Sequence, residues 1–278
     1  MKYAKQAAAW LLSAILLCSC QAQTEAPTDT EPGTSQPKAQ YTTAESDNAA
    51  SPRNPATVDL ASSVKITLNG ISAQISGSGA SVESGVITIS EGGTYAVSGT
   101  LADGRILVDA KGGDVTLVLN GADITCSTGS PIYIYQSALT SIYVMEDTEN
   151  TLTDGSIYTF SDSRSSAEED EPNACLYSKS DLVLQGAGSL VVNGNYRNGI
   201  TGKDALQIYD LDLTVNAVGN GINGKDSNTI DSASITVKCG EDAIRSTNDT
   251  DESLGWISIS NSVLDLTAGE DGIQAETA

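Results

Sequence analysis

From Val58 onward the chain alternates short apolar runs with polar or glycine-rich breaks. In Val64-Lys65-Ile66-Thr67-Leu68 every second side chain is apolar, and Val86-Ile87-Thr88-Ile89, Thr94-Tyr95-Ala96-Val97 and Arg105-Ile106-Leu107-Val108 repeat the pattern. Val115 to Leu119, Ile132 to Tyr135 and Ile142 to Met145 continue it. A period of two predicts half-buried strands, and no helical stripe runs through them. The breaks include Asn69-Gly70, Gly77-Ser78-Gly79, Glu91-Gly92-Gly93 and Asp103-Gly104, all turn sequences.

Beyond residue 170 a longer period takes over. Asn198-Gly199-Ile200 returns as Asn220-Gly221-Ile222, Asp242-Ala243-Ile244 and Asp271-Gly272-Ile273, in steps of 22, 22 and 29 residues. Gly202-Lys203-Asp204 returns as Gly224-Lys225-Asp226. Three apolar beats recur in each step. The first is Leu176, Ile200, Ile222, Ile244 and Ile273; the second is Ile208, Ile230 and Ile259; the third is Val215, Val237 and Leu266. Three short strands per coil of about 22 residues, stacked like on like, predict an all-β protein over 58–278: a right-handed, single-stranded parallel β-helix. A sandwich would need antiparallel hairpins and would lose this phase. No leading beat falls between Ile132 and Leu176, so Thr153–Pro172, polar and acidic at Asp162 and Glu168 to Glu171, is expected to be an inserted loop. The chain stops at Ala278 within a coil, and the reading expects a solenoid truncated there.

Stacking turns repeated positions into ladders, with rungs about 4.8 Å apart. One is Ala174, Asn198, Asn220, Asp242, Asp271; another is Ser180, Asp204, Asp226, Asn248; between them run Lys179, Lys203, Lys225 and Thr247. Carboxylates at this spacing repel unless something neutralises them. The lysines offer one solution. Ca²⁺, which takes six to eight oxygens, offers another and suits the spacing better than Mg²⁺. The seven extra residues of the third step bring in Asn248, Asp249 and Asp251, at the spacing of a calcium loop's first ligands. The candidate metal ligands are therefore Asn198, Asp204, Asn220, Asp226, Asp242, Asn248, Asp249, Asp251 and Asp271. Asn and Asp also stack in coil corners for hydrogen bonding alone, and that alternative stays open. Both insertions flank the first strand, and insertions on one face mark a binding face. Tyr133 and Tyr177 have outward parity there and Tyr196 precedes it, which makes them candidates for stacking on sugar rings; covering the strand surface is the other reading.

Composition narrows the function. The chain has 278 residues, 36 acidic against 14 basic, and a net charge of -22. Such a surface repels nucleic acid and anionic lipid and attracts cations. There is no His, which removes His-based triads and His metal ligands. Met1 to Cys20 has Lys2 and Lys5, an apolar run from Ala7 to Leu17, and Leu17-Cys18-Ser19-Cys20. It resembles a bacterial lipobox, which implies a lipoprotein signal peptide at 1–19 and lipid on Cys20, giving an extracellular protein anchored to the cell envelope. A plain cleaved signal peptide is the alternative. Residues 20–57, rich in Thr, Ser and Pro, read as a disordered tether. Cys126, Cys175 and Cys239 match no zinc spacing and read as buried free thiols.

The phrases Asp170-Glu171-Pro172-Asn173-Ala174, Gly188-Ser189-Leu190-Val191-Val192-Asn193-Gly194-Asn195-Tyr196, Asn198-Gly199-Ile200, Gly224-Lys225-Asp226 and Ser246-Thr247-Asn248-Asp249 resemble those of secreted, calcium-binding parallel β-helix proteins of the carbohydrate-binding domain-containing family. The resemblance runs from Val64 to the end. It implies a fold similar to family-nine polysaccharide lyases, calcium on the coils, and binding of acidic and cellulosic plant polysaccharides. The family usually carries Asp-Gly-Ile where this chain has Asn198-Gly199-Ile200 and Asn220-Gly221-Ile222, so fewer charges face a cation at those coils. The expected function is calcium-dependent, non-catalytic polysaccharide binding by a tethered, monomeric lipoprotein. A calcium-dependent lyase with Lys203 or Lys225 as base is an alternative, although neighbouring Asp204 and Asp226 favour a charged amine. A structural or adhesin solenoid without a small ligand is another.

Overall fold

The computed structural model describes Val58 and residues 60–277. The expected lipoprotein signal at 1–19, the expected lipidation of Cys20 and the expected 20–57 tether fall outside the described residues. Among the described residues every regular element is a strand, and the strands wind into a parallel β-solenoid of about seven turns.

Each full coil contributes one strand to each of three faces. The first sheet stacks Val86–Ile89, Arg105–Asp109, Ile132–Gln136, Ala174–Ser178, Asn198–Gly202, Ile222–Gly224, Ile244–Ser246 and Ile273–Ala275, all parallel. The second stacks Thr140–Val144, Leu182–Gln185, Ala205–Tyr209, Ser227–Asp231 and Trp256–Ser260. The third stacks Glu149–Asp154, Ser189–Gly194, Asp212–Ala217, Ser234–Cys239 and Val263–Thr267. Register is one residue type on its own kind: Ile200 on Ile222, Ile222 on Ile244, Ile208 on Ile230, Val215 on Val237. The three beats predicted from sequence are the three inward columns, and from Ile200 to Ile244 they are buried. Complete burial of each such side chain contributes about 1.5–3 kcal/mol, so the stack itself is the core. Leu176 pairs directly with Ile132, which makes the segment between Asp154 and Ala174 an insertion within one coil. Cys126, Cys175 and Cys239 are free and buried.

Two features depart from the sequence reading. The parallel rule fails at the N-terminal end, where Val64–Gly70 pairs antiparallel with Ala73–Ser76, and Ala80–Glu83 with Val86–Ile89. These hairpins turn the first coil back on itself. The second and third faces also merge early: Val115–Cys126 is one strand, pairing with Thr140–Val144 through its first half and with Thr151 to Asp154 through its second. It bends at Gly121, whose φ of +69° disfavours a side chain.

Candidate functional site

The insertion does not stand out in solvent. Thr153 and Asp154 still belong to the third sheet, and residues 155–173 fold back over the outward side of the first sheet. The root is a buried carboxyl. Asp154 Oδ2 accepts from the Tyr158 hydroxyl at 2.7 Å, and Oδ1 from the Asn195 N–H. Burial pushes this carboxyl up to about 6, outweighing the hydrogen bonds that pull it down. The Tyr158 ring stacks on Tyr196 with centroids 4.2 Å apart, and the Tyr196 hydroxyl donates to Asp170 at 2.6 Å. Arg164 reaches Asp109 at 2.9 Å. At the far end Glu171 is clamped: Oε2 accepts from Lys179 Nζ at 2.7 Å and Oε1 from Lys203 Nζ. Burial works against the Glu171 carboxylate, but the hydrogen bonds from Lys179 and Lys203 win and hold it at about 2.

This fold-back corrects the aromatic expectation. Tyr133 and Tyr177 do point outward from the first sheet, at paired positions. Both are nevertheless buried, because the insertion covers them: the Tyr133 hydroxyl donates to the Arg164 carbonyl, and the two rings meet edge to face at 5.7 Å. Tyr196 is half-buried and gives one ring face to Tyr158. Neither Tyr133 nor Tyr177 offers a ring face to solvent. The lysine expectation is also redirected. Lys179 and Lys203 pair with Glu171 from the insertion, not with the Asp ladder.

The Asn/Asp ladder is a chain of hydrogen bonds. Asn198 Oδ1 accepts from the Asn220 backbone N–H at 3.0 Å and from Asn220 Nδ2 at 3.1 Å. Asn220 Oδ1 accepts from the Asp242 N–H at 3.2 Å and from Arg245 at 3.3 Å; Asp242 Oδ1 accepts from the Asp271 N–H at 3.0 Å. In the second insertion Asn248 Oδ1 takes the N–H groups of Thr250 and Asp251, and Asp251 accepts from Ser253. Among the described residues, each of Asn198, Asn220, Asp242, Asn248 and Asp251 thus has a side-chain oxygen engaged by a backbone N–H. Asp249 and Asp271 are exposed. Asp226 accepts from Asn248 Nδ2 at 2.7 Å. Asp204 differs: its carboxylate accepts no hydrogen bond among the described residues, and burial, then Asp181 and Asp226, push its carboxyl up. Among the described residues no three acidic or Cys side chains converge on one point.

One outward column of the first sheet runs Thr201, Asn223, Arg245, Gln274, each one residue past an isoleucine of the first beat; Thr201 is buried and the other three are half-buried. The next outward column runs Lys203, Lys225, Thr247. Lys225 is exposed and makes no ion pair among the described residues. Asn223 Oδ1, Arg245 Nε and Gln274 Oε1 are buried without a hydrogen-bond partner among the described residues, an arrangement costing about 1–3 kcal/mol per group. The sequence reading missed Asn223, Arg245, Gln274 and Glu171. Strand parity after each isoleucine identifies the first three; nothing local in the sequence marks Glu171.

The architecture is that of a parallel β-solenoid. A solved structure described as the polysaccharide lyase-like protein from C. thermocellum, a gadolinium derivative, superposes with a TM-score of 0.72 and 30% identity, covering 78% of this chain and 95% of that one. A curated carbohydrate-binding domain-containing protein from Acetivibrio thermocellus is 39% identical over 140 residues, covering 50% of this chain. The chain spans about half the length of that relative (48%). The family model for carbohydrate-binding domain-containing proteins matches residues 83–278, and the chain belongs to that family.

Proposed function

We propose that this solenoid binds a polysaccharide, cellulosic or uronic-acid-containing, on the outward face of its first sheet and does not cleave it. The observation that carries this reading is the outward side of the first sheet below the first insertion, where half-buried Asn223, Arg245 and Gln274 line one column beside Lys203 and the exposed Lys225. Family membership supports a sugar ligand, and the column supplies donors and acceptors at a rung spacing of about 4.8 Å. Calorimetry with oligosaccharides of cellulose and of polygalacturonate tests it. Binding of at least one, weakened by Asn223→Ala and Gln274→Ala, is expected; heat of dilution alone from both would reject it. Of the two lysines a lyase would use as base, Lys203 is tied into an ion pair with Glu171, which keeps its amine charged. The sequence motif ending in Cys20 supports a tether to the bacterial envelope, which labelled fatty-acid incorporation abolished by Cys20→Ala would establish.

Calcium dependence is kept as a second reading on one observation. The Asp204 carboxylate, without a hydrogen bond and pressed by Asp181 and Asp226, is where a cation would relieve repulsion. A resident ion stabilises the folded state by linkage, about 2.7 kcal/mol at a hundredfold excess over Kd. Melting in calcium should then exceed melting in chelator, and Asp204→Asn should abolish the difference. Identical melting curves would remove calcium and leave the binding face intact.

A further inference from the structure

Six Asn-Gly pairs occur in the chain, led by Asn69, Asn120, Asn193, Asn198, Asn220 and Asn223. In such a pair the glycine nitrogen can attack the preceding side-chain amide, because no side chain on the glycine hinders the five-membered ring that forms. The fold gives the six pairs different freedom, and four are closed. Asn198 and Asn220 are buried, and the Gly199 and Gly221 N–H groups donate to the carbonyls of Asn220 and Asp242, each at 2.9 Å. Asn193 donates to Thr153 Oγ1 at 3.2 Å and accepts from Asn216 at 3.0 Å. Asn223 is half-buried with its Oδ1 enclosed. A methyl carbon on Gly194, Gly199, Gly221 or Gly224 would meet another atom at 2.3–2.5 Å, so the backbone there has no room to swing.

Asn120 is the opposite case. It and Gly121 are exposed, Gly121 has a φ of +69°, and a methyl carbon on it would meet nothing within 4 Å. The two residues form a bulge: Leu119 pairs with Val97 and Ala122 with Gly99, which leaves both opposite Ser98. On its other side this strand pairs with Thr140–Val144 only as far as Leu119, and with Glu149–Asp154 only from Asp123. The Asn120 side chain makes no hydrogen bond among the described residues. Asn69 is exposed too, but the ladder to Gly93–Leu101 runs through it unbroken, and its N–H donates to Ser72 at 3.0 Å.

We propose that Asn120 is a site of spontaneous deamidation in the folded protein, and that the fold protects the four closed pairs. The Gly121 nitrogen loses its proton to solvent and bonds to Asn120 Cγ; the Cγ–Nδ2 bond breaks and ammonia leaves. One water then opens the succinimide at either carbonyl, giving aspartate or isoaspartate. Each product adds a negative charge. Isoaspartate also adds a carbon to the backbone at the bend between the second and third faces, beside the Ala122 N–H that donates to Asn150 at 2.8 Å. The change falls on an early coil and leaves the outward column of the first sheet untouched.

The test is peptide mapping of the full chain by mass spectrometry during incubation in mildly alkaline buffer, native and in urea. Labelled methyl transfer to isoaspartate is the second readout. Cleavage after Lys and Arg puts Asn69, Asn120, Asn193 and Asn198 on separate peptides. In the folded chain the 112–164 peptide should gain about one dalton first, and the 66–105 peptide more slowly. The 180–197 and 198–203 peptides should convert at least about tenfold more slowly than in urea, since they react only on local opening. Asn120→Gln should remove most of the methyl incorporation, because the longer side chain closes a less favourable six-membered ring. An Asn120 peptide that converts in urea but not in the folded chain overturns the proposal. Earlier conversion at Asn69, conversion of Asn193 or Asn198 at the Asn120 rate, or undiminished methyl incorporation in Asn120→Gln overturns it as well.

Discussion

Replacing Glu171 by Gln should release the insertion from the first sheet. The carboxylate sits at about 2 in the folded protein against an ordinary value of 4.5. At about 1.4 kcal/mol per pH unit, that difference bounds the contribution of the ionised form at about 3 kcal/mol. The partner amines are 29% and 41% exposed, and water screens them, which brings the expected loss to about 1–2 kcal/mol. The solenoid is quasi-one-dimensional, so the loss falls on local opening of the insertion and not on the whole stack. Amide exchange reads it directly. The Ser166 N–H, bonded to the Glu171 carbonyl at 2.7 Å, should lose protection by about 5–30-fold at pH 7, while the Ile200 and Ile222 amides keep theirs. Because folding lowers this group's pKa, its contribution is complete above about 4.5 and is lost as the pH falls through about 2. The ratio between wild type and variant should therefore shrink between pH 5 and pH 3. Equal protection at pH 7, or a ratio constant across that range, would refute the clamp.

Three further outcomes follow from the same geometry. Asp154, raised to about 6 by burial, favours folding when protonated; that stability is complete below about 3.8 and is lost as the pH rises through about 6, so Asp154→Asn should flatten the decline in a series of urea titrations from pH 4 to pH 8. Asn220→Ala removes an acceptor from the Asp242 N–H and a donor from Glu241 in a buried corner, and should cost about 2–3 kcal/mol in urea unfolding; Asn220→Asp should not recover it, because its carboxylate would face that of Glu241. In Gly199→Ala the new methyl carbon would lie 2.3 Å from Val215 Cγ1 and 2.8 Å from the Gly221 carbonyl oxygen; an overpacking loss of about 1–3 kcal/mol is expected, read by thermal melting.

The fold was legible because a solenoid writes its geometry in a repeat. Ile200, Ile222 and Ile244 recur at the same offset, and parallel stacking gives each the same environment, so the inward columns followed from counting. The Asn198 to Asp271 ladder was legible as a ladder. Its chemistry was not, because Asn and Asp oxygens suit a cation and a backbone N–H equally well. Only coordinates show the Asn220 and Asp242 amides taking those oxygens. Tyr133 and Tyr177 show the same limit: strand parity gave their direction correctly but could not tell that a non-repeating segment lies over them.

By itself the sequence determined the strands, the period, the inward columns and the place where the repeat is interrupted, since all of these depend on residues near in sequence or at a fixed interval. The tertiary structure alone decided where the interruption goes. Glu171 meets Lys179 eight residues later and Lys203 one coil beyond, Arg164 meets Asp109 from two coils earlier, and Asp170 meets Tyr196. These pairings obey no period, because an insertion is held by whatever charge and surface the stack presents to it. They divide the first sheet into a covered half and an open half, and so decide which residues of the repeat can touch a ligand.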